Sequence, residues 1–99
     1  MANLLRETLT FLASFDLTEN DVLWVGDQNC YCDWEHFAST AAIDYDDGFG
    51  TEIINQKLIV VGKDWWLERH EYDGSEWWEF KQLPEKPGDY SNNIKIVSK

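Results

Sequence analysis

Two Trp-Trp pairs, Trp65-Trp66 and Trp77-Trp78, stand on either side of a central Asp73-Gly74. Asp-Gly suits the two positive-φ positions of a type I′ turn, the turn whose twist matches a two-residue β-hairpin. The spacing predicts strands over 65–71 and 76–82. With the loop at 73–74, Tyr72 faces Ser75 and Glu71 faces Glu76. The same register sets His70 opposite Trp77, Arg69 opposite Trp78, Glu68 opposite Glu79, Leu67 opposite Phe80 and Trp66 opposite Lys81.

Side chains alternate faces along a strand. One face of the ribbon therefore carries Trp65, Leu67, Arg69, Trp78 and Phe80, and the other Trp66, Glu68, His70, Trp77, Glu79 and Lys81. The first set is suited to a core, with Arg69 lying across Trp78 in a cation–π contact near the surface, worth about 0.5–1 kcal/mol. The second set mixes two tryptophans with carboxylates. Glu68 opposite Glu79 is a like-charge pair, which destabilises a ribbon unless neighbours relieve it. His70 and Lys81 are placed to do so. Two tryptophans on a solvated face call for a cover: the segment 83–99, a second copy of the chain, or a foreign partner.

The rest of the chain reads as α+β. Leu4, Leu5, Thr8, Leu9, Leu12 and Phe15 recur at helical spacing, which predicts an amphipathic helix over 3–15 with Asn3 as its N-cap. Val22 to Val25 suits a short strand, Gly26 to Asn29 a turn, and Cys30 to Cys32 a returning strand. Asp33 can cap a second helix over 34–42, with Trp34, Phe37, Ala38 and Ala41 on one side. Residues 43–51 read as an acidic loop, and Glu52 to Gln56 as the approach to a strand. Leu58 to Val61, four apolar residues in a row, suits a central strand buried on both faces. Asn93 to Val97 alternates like an edge strand or is a loose tail. The expected architecture is a small antiparallel sheet, a β-meander with the Trp-rich hairpin, packed against two helices in a single domain spanning 1–99.

Nineteen Asp and Glu against eight Lys and Arg give a net charge of −11. Such a chain repels nucleic acid and anionic membranes and favours basic protein partners. No stretch approaches the length of a membrane span. Arg6 and Glu7 interrupt the apolar run near Met1, unlike a signal peptide. Cys30 and Cys32 are too close to bridge without strain, so reduced thiols and a cytoplasmic setting are expected.

Three constellations bear on chemistry. Asp44-Tyr45-Asp46-Asp47-Gly48 lacks the ligand order of an EF-hand: the fifth position is Gly48 and the twelfth is Asn55. It reads as a solvated acidic loop, as a looser divalent site, or as carboxylates spaced to imitate phosphates. Cys30, Cys32 and His36 fall short of the four ligands of a closed zinc site. Glu68, His70 and Glu79 share a face that has no cleft. No phosphate loop, nucleophile elbow or zinc-protease motif is present. No enzyme activity, cofactor or metal is expected.

The run Val61 to Phe80 followed by Leu83-Pro84, together with Trp24-Val25-Gly26 and Trp34 to Phe37, resembles short proteins of phages and prophages of Gram-positive bacteria. The resemblance covers most of 22–84 and carries no assigned activity, so it transfers no functional residues. In size and charge such proteins resemble inhibitors of host defence, among them anti-CRISPR proteins and other nucleic-acid mimics. The expectation is a non-enzymatic inhibitor that occupies a basic, nucleic-acid-binding surface of a host protein in the host cytoplasm. Asp44, Asp46, Asp47, Glu68 and Glu79 would supply charge, and Trp66, Trp77 and His70 would complete the contact. The alternative is a self-associating accessory protein whose Trp66/Trp77 face makes a homodimer.

Overall fold

Asp73 and Gly74 adopt φ of 53° and 86°, the left-handed pair that a type I′ turn requires. In the computed structural model, which describes residues 1–48 and 53–98, this turn joins strands β6 (Trp65–Tyr72) and β7 (Ser75–Gln82). All the cross-strand pairs expected from the turn are formed, from Tyr72–Ser75 down to Trp66–Lys81. The hairpin forms one side of a five-stranded antiparallel sheet in the order β3-β2-β5-β6-β7, with β2 at Trp24–Gly26, β3 at Tyr31–Cys32 and β5 at Ile59–Val61.

Helices α1 (Leu4–Ala13) and α2 (Trp34–Ala41) pack on one face of this sheet. Asn3 Oδ1 accepts the Arg6 amide at 3.0 Å and Asp33 Oδ1 the His36 amide at 2.8 Å, so both expected N-caps are in place. Leu4, Thr8 and Leu12, four residues apart, are the buried stripe of α1. Leu9 and Phe15 remain 39% and 42% exposed. The helix ends at Ala13 with Ser14 as its C-cap, so Phe15 lies past its last turn, and Asp16 at φ 59° then redirects the chain. The core joins that stripe to Phe37 and Ala41 of α2 and to Val25, Val60, Trp65, Leu67 and Trp78 of the sheet. Trp78 Nε1 donates to Thr8 Oγ1 at 2.9 Å, which satisfies the one polar atom of a buried indole. Gly62 lies against the ring of Trp65, where a Cβ would stand 2.0 Å from Cε2.

Two expectations are corrected and two others are resolved. Residues 44–45 are not loop: strand β4 (Asp44–Tyr45) pairs with β1 (Ala2–Asn3) in a two-stranded sheet beside α1. Two residues are too few for a periodic signal. Positions 49–51 of the expected loop, and Glu52, lie outside the described residues. Residues 53–56 are the approach to β5, as expected, and are held by the Ile53 and Ile54 amides bonding the Glu76 carboxylate. β5 is central, but only Val60 is fully buried, since no helix covers Ile59 and Val61 on the other face. Of the two readings of 93–97 the loose tail holds: these residues pair with nothing among the described residues and are exposed.

Arg69 also departs from expectation. It lies 4.7 Å over Trp78 as the pairing implies, but it is buried rather than near the surface. Its guanidinium bridges Glu7 at 3.1 Å and Glu76 at 3.1 Å and donates to the Tyr45 hydroxyl at 3.0 Å. Tyr45 also bonds Glu7, which ties β4, α1 and the hairpin together. Burial, aided by the Glu7 contact, pushes the Tyr45 hydroxyl well above its ordinary range.

Candidate functional site: the helix-free sheet face

The register of five strands lays out the face that no helix covers. Its first row runs Tyr31, Gly26, Ile59, Glu68, Glu79 across the sheet, and its second Trp24, Val61, Trp66, Lys81. His70 and Trp77 form a third row on the hairpin alone. Trp24 and Tyr31 meet edge to face at 6.3 Å. Their side of the sheet borders a shallow groove of about 520 Å³ with Asp27 to Cys30 at its end. The segment 83–98 does not cover this face, for each of its residues is exposed.

The hairpin part of the face is internally wired. Trp66 Nε1 donates to Glu68 Oε1 at 2.8 Å, and Trp77 Nε1 donates to Glu79 Oε2 at 3.1 Å. Both follow from the two-residue period, which stacks residues i and i+2 on one face. His70 Nε2 stands 2.7 Å from Glu68 Oε2 and 3.4 Å from Glu79 Oε1, and Lys81 Nζ stands 3.5 Å from the latter. Lys81 thus lies against Glu79, and the His70 ring nitrogen stands between the two facing carboxylates, as their spacing implies. Trp66 and Trp77 keep their ring surfaces while their N–H groups are occupied.

This wiring has a pH signature. The Trp66 N–H, with His70 behind it, holds the Glu68 carboxyl below its ordinary value, and the Trp77 N–H does the same for Glu79. A carboxyl depressed in the folded state stabilises above its unfolded value, and that contribution is lost as pH falls through the folded one. Stability is expected to be insensitive to these two groups above the ordinary value of 4.5 and to decline below it. Urea midpoints measured across the acid range check this. The Glu68→Gln/Glu79→Gln chain should show a shallower decline, and an unchanged slope would refute the assignment.

The acidic segment sits elsewhere. Asp44 accepts from Asn3 Nδ2 at 3.0 Å beside α1, and Asp46 accepts from the Gly48 amide at 3.1 Å. Asp47 reaches the hairpin through its carbonyl, which accepts the Glu76 amide at 3.0 Å. Trp66, Glu68, His70, Trp77 and Glu79 therefore converge on one face, while Asp44, Asp46 and Asp47 lie on the helix side and at the turn end. Trp24, Tyr31, Ile59 and Val61 extend the face, and sequence reasoning did not assign them to it. Their signal was alternation with the buried Val25 and Val60, legible only once β2 and β5 are set in register with β6.

The thiols occupy the sheet's other end. Cys30 is exposed and Cys32 half-buried, both free, and burial raises the Cys32 thiol. Cys30, Cys32, His36 and Asp27 line one groove, yet no three His, Cys, Asp or Glu among the described residues converge closely enough to hold a metal ion. No helix among them is long and apolar enough to cross a membrane.

These features define an α+β chain with one sheet face closed by two helices and the other presenting aromatics and paired carboxylates. No protein-family model, curated protein or solved structure matches the chain.

Proposed function

We propose that this chain is a non-enzymatic binding protein that lays its helix-free sheet face on a basic, nucleic-acid-binding surface of a host protein. The observation that carries this reading is a helix-free face on which Trp77 and Tyr31 are exposed and Trp24 and Trp66 half-buried, on a chain of net charge −11. Tryptophan and tyrosine anchor interfaces because each removes much area from water at small entropic cost. In this reading Trp66 and Trp77 make the central contact, with Glu68, His70 and Glu79 between them as a polar frame. Asp44, Asp46 and Asp47 lie off the face and steer the approach to a positive surface, which raises the association rate more than the final affinity. The resemblance to phage and prophage proteins makes a bacterial defence nuclease, a CRISPR effector above all, the first partner to assay, and the host cytoplasm the setting.

Binding to a purified CRISPR effector, measured along a salt series and in competition with DNA, tests this. Affinity is expected to fall steeply as salt screens the charges, and DNA should displace the chain. Affinity indifferent to salt, or a ternary complex with DNA, would overturn electrostatic mimicry.

A further inference from the structure

Beyond Glu76, no strand among the described residues pairs with the outer edge of β7. In a two-residue hairpin the pairs 72/75, 70/77, 68/79 and 66/81 exchange backbone hydrogen bonds, so the N–H and C=O groups of Glu76, Trp78, Phe80 and Gln82 point away from β6. Asp47 takes the Glu76 amide. Among the described residues, Trp78, Phe80 and Gln82 have no backbone partner on that side. On the helix side of this edge Phe80 stacks on Phe15 with ring centres 4.1 Å apart, and Phe15 stays 42% exposed. An unpaired edge beside half-exposed aromatics is a template for an added strand.

The chain carries a segment suited to it. Asn93-Ile94-Lys95-Ile96-Val97 is rich in β-branched residues, and Ile94, Ile96 and Val97 are 73%, 92% and 73% exposed. Its charge is complementary to the body. Residues 90–99 hold two lysines and no Asp or Glu, whereas residues 1–82 hold seventeen Asp and Glu against five Lys and Arg. Every described residue from Leu83 onward is exposed, and the molecule is extended. The radius of gyration is 16.6 Å, with a long axis of 51 Å, against about 13 Å for a compact chain of this length. Pro84 and Pro87 stiffen its root.

We propose that residues 93–97 add to the β7 edge of a second copy, and that two copies exchange these segments about a two-fold axis. A two-fold axis perpendicular to β7 reverses the partner's strand. A segment running straight on from Gln82 then arrives antiparallel to it with no turn. Docking on its own β7 would need a full reversal within 83–92. Those ten residues, extended, span roughly 30 Å, enough to cross between two bodies. This contact leaves the Trp66/Trp77 face open, so it stands independently of the proposed function.

Light scattering through a dilution series, on the full chain, on a chain ending at Leu83 and on Ile96→Pro, tests the exchange together with amide exchange at Trp78, Phe80 and Gln82. The expected result is a full-length dimer with protected edge amides. Both variants should be folded monomers, by circular dichroism, that have lost that protection. Three results would overturn it: a full-length monomer with unprotected edge amides; a monomer with protected ones, which means the segment folds back on its own chain; or a dimer that survives truncation.

Discussion

Arg69→Met is expected to destabilise the fold by about 3–5 kcal/mol, the range for breaking a buried ion pair from one side. The Arg69 and Glu76 side chains are both fully buried, and Glu7 closes the network from α1. Methionine can lie over Trp78 and fill most of the volume, so the loss is electrostatic. It leaves the Glu76 carboxylate in the core with only the Ile53 and Ile54 amides and the Gln56 side chain as donors. Arg69→Lys is no remedy. One Arg69 nitrogen reaches Glu7 while the other holds Glu76 and Tyr45 together, and an ammonium cannot reproduce that fork. Glu76→Gln should cost less than Arg69→Met, because an amide oxygen still accepts from the 53–54 backbone and no buried charge is added. Urea unfolding of the three variants gives the order. A loss under about 1 kcal/mol for Arg69→Met, the level of a surface pair, would mean that the network does not hold the hairpin to α1.

The hairpin was legible because its signals are local. Asp73-Gly74 sets the turn, the turn sets the register, and the period of two sorts the faces. Arg69 over Trp78 follows from the pairing alone. The burial of Arg69 does not, because only Glu76 lies nearby, seven positions on in the hairpin, and the rest of its network lies far away along the chain. Glu7 is on a helix 62 positions upstream, and Tyr45 lies between them. A charged residue on a core face is a hint that some distant partner exists, but nothing local names it.

The extent of the candidate site was hidden for a related reason. Trp66, Glu68, His70, Trp77 and Glu79 share a face through hairpin geometry, and the sequence suffices to group them. Trp24 and Val61 join that face only through the β2–β5–β6 ladder, whose register is set by tertiary pairing across the long 27–58 insertion. The same limit hid β1–β4, a two-residue ladder spanning more than forty positions. Carboxylates at 44, 46 and 47 look like one acidic cluster in sequence, yet the ladder and the Asp47 carbonyl commit this segment to the helix side.

Trp66→Ala and Trp77→Ala should each weaken partner binding by about 2 kcal/mol or more, roughly thirtyfold in Kd, if they are the central anchors of the face. The fold should persist, because neither indole belongs to the core cluster. Trp78→Ala is the contrasting control. It empties the centre of the core and removes the N–H that Thr8 Oγ1 accepts, leaving that hydroxyl only its bond to the Leu4 carbonyl, at a cost of about 3–5 kcal/mol in stability. Trp66→Phe separates the two properties of the anchor: it keeps an aromatic surface and removes the N–H that holds Glu68. If apolar area provides the affinity, Trp66→Phe binds nearly as well as the native chain and Trp66→Ala does not. If the indole matters by fixing the Glu68 carboxylate, both substitutions weaken binding alike, and Glu68→Gln reproduces the loss. Unchanged affinity in Trp66→Ala/Trp77→Ala, with the fold intact, would remove the helix-free face from the contact altogether and leave the acidic helix side as the surface that meets a basic partner.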